Sequence, residues 1–245
     1  RDLQANDDPL TVAQRIISRY HEQAKLANDG RGYPHTISLV DLSKMDGLAA
    51  AVNALGNRLT AKLSGTTTIT DINNLRNVSQ AFANSAQATN PDHADYIDLW
   101  DLADKVSPLA AVEAQAVKKM VESAVITEYK SSGKVEGIIW DHRNAHGLSI
   151  YYPTSQFSSA FFAYQDRRMS QVGSWDSFLD KVVPLESEGD TAPGGDNGGR
   201  GANAARGANA ARGANAARAQ EKFTSADSGT FIFKNSSTYL PLIVK

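Results

Sequence analysis

Cysteine is absent from this chain. That excludes disulfides, thiolate metal sites and a cysteine nucleophile within these residues. It does not report the redox compartment, since secreted proteins can also lack cysteine. Long apolar runs are missing as well: no stretch of eighteen or more apolar residues occurs, so no membrane-spanning helix is expected. No strong charge of either sign is present. Twenty-five basic residues stand against 27 acidic ones, a net charge of −2, which argues against a nucleic-acid or anionic-membrane partner. No signal peptide is visible and the first residue is Arg1, which reads as a chain whose N-terminal part lies elsewhere.

What is present is a set of amphipathic elements long enough in total to bury a sizeable core over 245 residues. Asp8 followed by Pro9 predicts a helix start, with Leu10, Val12, Ile16, Ile17 and Tyr20 as its stripe, running to about Leu26. The turn NDGRGYP at 28–34 precedes the clearest unit, a strand through Ile37, Leu39, Val40 and Leu42. Ser43 is its exit cap, and Met45, Leu48, Val52, Leu55, Leu59 and Leu63 recur at helical spacing beyond it. Thr70 is expected to cap a further helix with Ile72, Leu75, Val78 and Phe82 on one face. A polar loop spans Asn84 to Asp95. Tyr96–Val106 reads as a short helix whose Ile97-Asp98-Leu99 could start extended. Ser107-Pro108 opens the longest helix, to about Tyr129, with Val112, Ala116, Met120 and Ala124 as its seam. Gly137–Trp140 and Gly147–Tyr152 are short strands, and Ser174 caps a last helix bearing Trp175, Phe178, Leu179 and Val182.

Composition then changes abruptly. Glu186–Gly199 is rich in Gly, Pro and acids and runs into RGANAA repeats at Arg200, Arg206 and Arg212, closed by Arg218. A period of six fits neither a helix face nor a heptad, so this region is expected to be low-complexity and solvated. Thr230–Lys234 and Tyr239–Val244 could be two short strands, too little to fold alone. The domain expectation is therefore 1–185, a linker over 186–222, and a short β-rich tail over 223–245.

Several constellations invite chemistry. Asp141, His142 and His146 offer metal-ligating side chains at helical spacing, but Asn144 and Gly147 favour a polar loop between two strands, where no helical register exists. Ser149 near His146 suggests a Ser-His-acid hydrolase, yet the G-x-S-x-G elbow is missing and such triples arise by chance. Asp41, Asp46, Asp98, Asp101 and Asp104 do not follow a calcium-loop pattern, and the last three are spaced as a solvated helix face would be. The aromatics Tyr151, Tyr152, Phe157, Phe161, Phe162 and Tyr164 could line a groove, although packing against the Trp175 helix is the simpler reading. Asn77-Val-Ser79 and Asn235-Ser-Ser237 fit the N-glycosylation pattern, which matters only in a eukaryotic secretory route.

Three segments in order resemble the clostripain family of cysteine endopeptidases: YPHTISLVDLSKMDGLAAAVNAL at 33–55, YIDLWDLAD at 96–104, and HGLSIYYP at 146–153 with SWDSFL at 174–179. They look like the region C-terminal to that family's catalytic core, and the DPLTVAQRIISRYHEQ helix looks like the segment preceding it, so the resemblance covers roughly 8–183. It implies a helix-rich α/β chain, the C-terminal part of a caspase-like α/β/α sandwich with a helical subdomain. It also implies cleavage after Arg or Lys in the intact protein, a His-Cys dyad, autolytic maturation and often calcium dependence.

The departure is decisive. The family's nucleophile is a Cys and this chain has none; its catalytic His and acidic specificity pocket belong upstream, so none of His21, His35, His93, His142 or His146 is assigned that role. No catalytic, cofactor or metal residue is expected here, and any calcium belongs to the intact enzyme. The expected function is the non-catalytic portion of a secreted or cell-surface peptidase, partnered by its own catalytic half and, through it, by peptide substrates. The leading strand should pair with strands of that half and expose an unpaired edge without it. The four spaced arginines invite self-processing of the linker, set against a plain spacer. The contrasting class is an autonomous surface-binding module without enzymatic activity.

Overall fold

A computed structural model describes residues 8–27, 32–65, 67–82, 95–154, 173–183 and 242–244, all within one compact unit. The chain is α/β, with helices dominating and three small sheets. The first helix, α1, spans Pro9–Leu26 and starts as its sequence dictates. The Asp8 carboxylate accepts from the amides of Leu10 and Thr11 at 3.0 and 3.3 Å. Its buried seam is Ala13 and Ile17, whereas Leu10, Ile16 and Tyr20 of the expected stripe are 42–50% exposed.

Strand β1 covers His35–Asp41. Leu42 leaves the strand for a single 3₁₀ turn, Leu42–Lys44, and the cap of that turn is Asp41, which accepts from the Ser43 amide at 2.9 Å. Ser43 is therefore the capped residue, not the cap. Helix α2 follows at Met45–Lys62 and buries Leu48, Val52, Leu55 and Leu59 on one face, as the spacing predicts.

Helix α3 (Ile69–Asn77) opens two residues earlier than expected. Thr68 and Asp71 form a capping box, with the Thr68 hydroxyl accepting from the Asp71 amide and the Asp71 carboxylate accepting from the Thr68 amide. Ile72 is buried, but Val78 lies past the helix end and is 64% exposed. The expected loop at 84–95 lies outside the described residues except for Asp95.

Tyr96–Asp98 is strand β2, and helix α4 (Leu99–Val106) follows with no connecting loop. Tyr96 is thus on a strand and 48% exposed rather than on the helix seam. Helix α5 spans Ala111–Ala124 and then converts directly into strand β3, Val125–Ser131. The expected helix to Tyr129 is corrected here: the β-branched run Val125-Ile126-Thr127 favours an extended backbone, and antiparallel pairing to β1 fixes it. The α5 seam is Ala114, Val117, Val121 and Ala124, while Val112 is 79% exposed.

Strands β4 (Gly133–Val135) and β5 (Ile138–Trp140) form a hairpin whose two-residue turn, Glu136-Gly137, has φ of 52° and 86°. Both central residues being left-handed matches the twist of tight hairpins. Strand β6 (Ser149–Tyr151) pairs antiparallel with β2. Helix α6 (Trp175–Val182) buries Trp175, Phe178, Leu179 and Val182 as expected. Strand β7, Leu242–Val244, pairs parallel with β1, so the sheet order is β3-β1-β7 and β1 is central.

The main core joins α2, α4, α5 and α6 to the inner faces of β2 and β6. Tyr152 packs edge-on against Trp175 and Phe178 at 5.9 and 5.7 Å, as the aromatic pattern suggests; the aromatics at 157–164 lie outside the described residues. A smaller cluster of Ala13, Ile17 and Leu39 fastens α1 to the first sheet. Among the described residues, no helix is long and apolar enough to cross a membrane. The RGANAA repeats, the linker and the expected strand at 230–234 lie outside the described residues.

Candidate functional site

The segment between β5 and β6 carries the histidine-rich motif, and its side chains go three separate ways. Asp141 turns to Arg143, whose Nε donates to both carboxylate oxygens at 2.9 and 3.0 Å and whose second terminal nitrogen donates at 2.6 Å. That guanidinium holds the Asp141 carboxyl down at about 2. His142 is 1% exposed, its Nδ1 within 3.1 Å of the Ser131 carbonyl, and burial lowers the affinity of the ring for a proton. His146 faces Asp98. Asp141, His142 and His146 are therefore not brought together, and among the described residues no group of three His, Asp or Glu side chains could hold a metal ion. The loop reading holds, with the difference that His142 is interior.

Asp98 is a buried carboxylate with several hydrogen-bond donors around it. It sits where β2 becomes α4 and is fully buried. One carboxylate oxygen accepts from the Asp101 amide at 2.9 Å, capping α4, and lies 3.2 Å from His146 Nδ1. The other accepts from the His146 amide at 2.7 Å. Burial, the largest influence, pushes the carboxyl up; the two amides and the imidazole oppose it.

The other side of His146 lies flat on Trp100, centroids 4.2 Å apart and planes 22° apart. Lys118 Nζ stands 4.8 Å from the Trp100 ring centre, and the indole N–H donates to Glu122 at 2.9 Å. Lys118 also donates to Asp104 at 2.8 Å, holding that carboxyl below its usual range. The expectation of a solvated acidic face over Asp98, Asp101 and Asp104 is thus corrected. Asp98 is internal, and Asp101, 4% exposed, accepts from the Gln80 amide at 2.6 Å.

An acid–histidine pair of this kind orients an imidazole. Hydrolysis would need a nucleophile against that ring. Ser149 stands opposite Asp98 in the β2–β6 ladder, and among the described residues it makes no hydrogen bond to His146. The chemistry present is therefore anchoring: Asp98 fastens a helix start, a strand end and the loop before β6 to one point. Of the acids considered for calcium, Asp41, Asp98, Asp101 and Asp104 direct oxygens to amides or cations.

Two further features flank this anchor. Ser38 Oγ donates to the Gly147 carbonyl at 2.6 Å, tying the same loop to β1. A cavity of about 110 Å³ lies beside that tie, lined by Ile37, Phe82, Glu128, Lys130 and Ser149. It is smaller than the roughly 300 Å³ at which small-molecule sites begin. On the far side of the core, buried Arg76 donates to the Tyr152 carbonyl from Nε and a terminal nitrogen at 3.1 and 2.9 Å. Asp98 was readable as a cap from its place before Leu99; its bond to His146, 48 positions on, was not.

No curated protein and no solved structure matches the chain. The profile of the clostripain family matches residues 2–182, which takes in nearly all of the roughly 8–183 over which the sequence resembles that family. The chain belongs to the clostripain family and is a peptidase-related protein.

Proposed function

We propose that residues 1–185 are the non-catalytic C-terminal portion of a secreted clostripain-like cysteine endopeptidase. Its role is to complete and buttress the sheet of the catalytic half, with the segment beyond acting as a tether. One observation carries this: a family of cysteine peptidases is matched over residues 2–182 by a chain without a single cysteine. Without a thiolate the acyl-enzyme step has no nucleophile. The polar organisation fits a supporting role, since Asp98, Arg76 and Ser38 each hydrogen-bond to the chain's own backbone.

The test is peptidase activity on Arg- and Lys-containing peptides. The chain alone should be inactive, and joining it to the Cys-bearing segment encoded upstream should yield activity abolished by a thiol-alkylating reagent. Turnover by the purified chain alone, with contaminants excluded, would overturn the reading.

A further inference from the structure

The parallel edge of β1 is held by very little. Strand β7 pairs with Leu39, Val40 and Asp41 only, three of the seven residues of β1, whereas β3 pairs with β1 from His35 to Val40. Parallel pairing is slightly weaker per residue than antiparallel pairing, and three residues is short for a strand. Pro241, which has no N–H to donate, directly precedes the strand in sequence. The connection from Val183 to Leu242 occupies 184–241, 58 residues, far beyond the dozen or so that a parallel crossover requires. Leu242–Val244 is therefore joined to the rest of the described fold by far more chain than a parallel crossover needs.

Without β7, the backbone groups of β1 on this edge would face solvent beside buried Leu39 and Val40. Such an edge is a template for any extended apolar segment.

We propose that Leu242–Val244 is an exchangeable edge strand. It covers the parallel edge of β1 at Leu39–Asp41 and yields that edge to an extended strand of the catalytic half. The inference rests on the reading of the chain as one portion of a larger peptidase. It adds that the tail and the catalytic half compete for one edge, so the tail regulates assembly and protects the unassembled chain from edge-to-edge association.

Hydrogen exchange read by mass spectrometry tests this on the full chain, on a chain ending at residue 238, and on the Ile243→Pro variant. The β1 amides facing β7 within Leu39–Asp41 should exchange at least about tenfold faster in both altered proteins, with the β1–β3 pairing retained. The peptide YLPLIVK (residues 239–245), added at millimolar concentration to the shortened chain, should restore protection, and a scrambled peptide should not. Unchanged exchange on truncation, or failure of the peptide to restore it, overturns the proposal. With the upstream Cys-bearing segment added, β7 should lose protection while Leu39–Asp41 keeps it. An active reconstituted enzyme in which β7 stays protected refutes the exchange and leaves the peptidase reading intact. Peptide capture without any activity on reconstitution supports the acceptor edge and refutes the peptidase reading.

Discussion

Replacing Asp98 by alanine should be among the most damaging single changes in the chain. The carboxylate is fully buried and accepts from the Asp101 amide at 2.9 Å, the His146 amide at 2.7 Å and, at 3.2 Å, the His146 ring. Losing the helix cap alone costs about 1 kcal/mol. Leaving the His146 amide and ring without their acceptor costs about 1–3 kcal/mol for each buried donor, less whatever water reaches the partly exposed ring. Removing the charge also relieves its desolvation, which offsets part of that sum. The net expectation is a loss of about 3 kcal/mol, within the range for breaking buried pairs. Asp98→Asn keeps the volume and one acceptor and should cost about half as much, since a single lost hydrogen bond to a charged group is worth roughly 1.5 kcal/mol. Urea denaturation by circular dichroism gives both values, with Asp104→Ala as control; that partly exposed pair with Lys118 should be worth about 1 kcal/mol. An Asp98→Ala loss within about 0.5 kcal/mol, the range of ordinary surface changes, would refute the anchoring argument. So would an asparagine as damaging as the alanine.

Gly147→Ala should destabilise by about 2 kcal/mol or more, combining left-handed strain with overpacking. Its φ is 87°, and a Cβ would sit 3.0 Å from Val125 Cγ1 and 3.1 Å from Ser38 Cβ; a variant as stable as wild type in the same titration would contradict this geometry. Phe178→Ala, in the fully buried aromatic cluster with Trp175 and Tyr152, should cost about 3–5 kcal/mol and lower the thermal midpoint, measurable by calorimetry. For pH, His21 and His142 are both held below the ordinary imidazole value, first by burial and, for His21, next by His35, whose Nε2 lies 2.8 Å from His21 Nδ1. Depressed folded values mean that the unfolded chain takes up the protons first. Stability should therefore be full above about pH 6.5 and fall as pH drops below it. The urea midpoint followed from pH 7.5 to 5 checks this, and a midpoint that rises on acidification would reverse the sign.

Where periodicity and burial agree, the sequence was readable. Leu48, Val52, Leu55 and Leu59 fall on one face of α2, and Trp175, Phe178, Leu179 and Val182 on one face of α6, because each stripe meets a core. The end of α5 was misread because its apolar spacing runs without interruption into Val125 and Ile126; only the β1 ladder decides that these residues extend. Thr68 with Asp71 carried a visible capping-box signal that Thr70 obscured. The polar anchor was the least legible. Three acids at a spacing of three fit an exposed helix face by pattern alone, and nothing local announces that Asp98 meets His146 or that Asp101 meets Gln80. Such contacts depend on chain segments brought together by the core, so they become visible only when the core is assembled.

Among the described residues, β2 passes directly into α4 at Asp98–Leu99, and α5 directly into β3 at Ala124–Val125. Each joins two stiff bodies with no slack between them. Helix α5, 14 residues and so about 21 Å long, lies in the main core and is continuous with β3, so a displacement at its Ala111 end should be felt in the β3–β1 ladder.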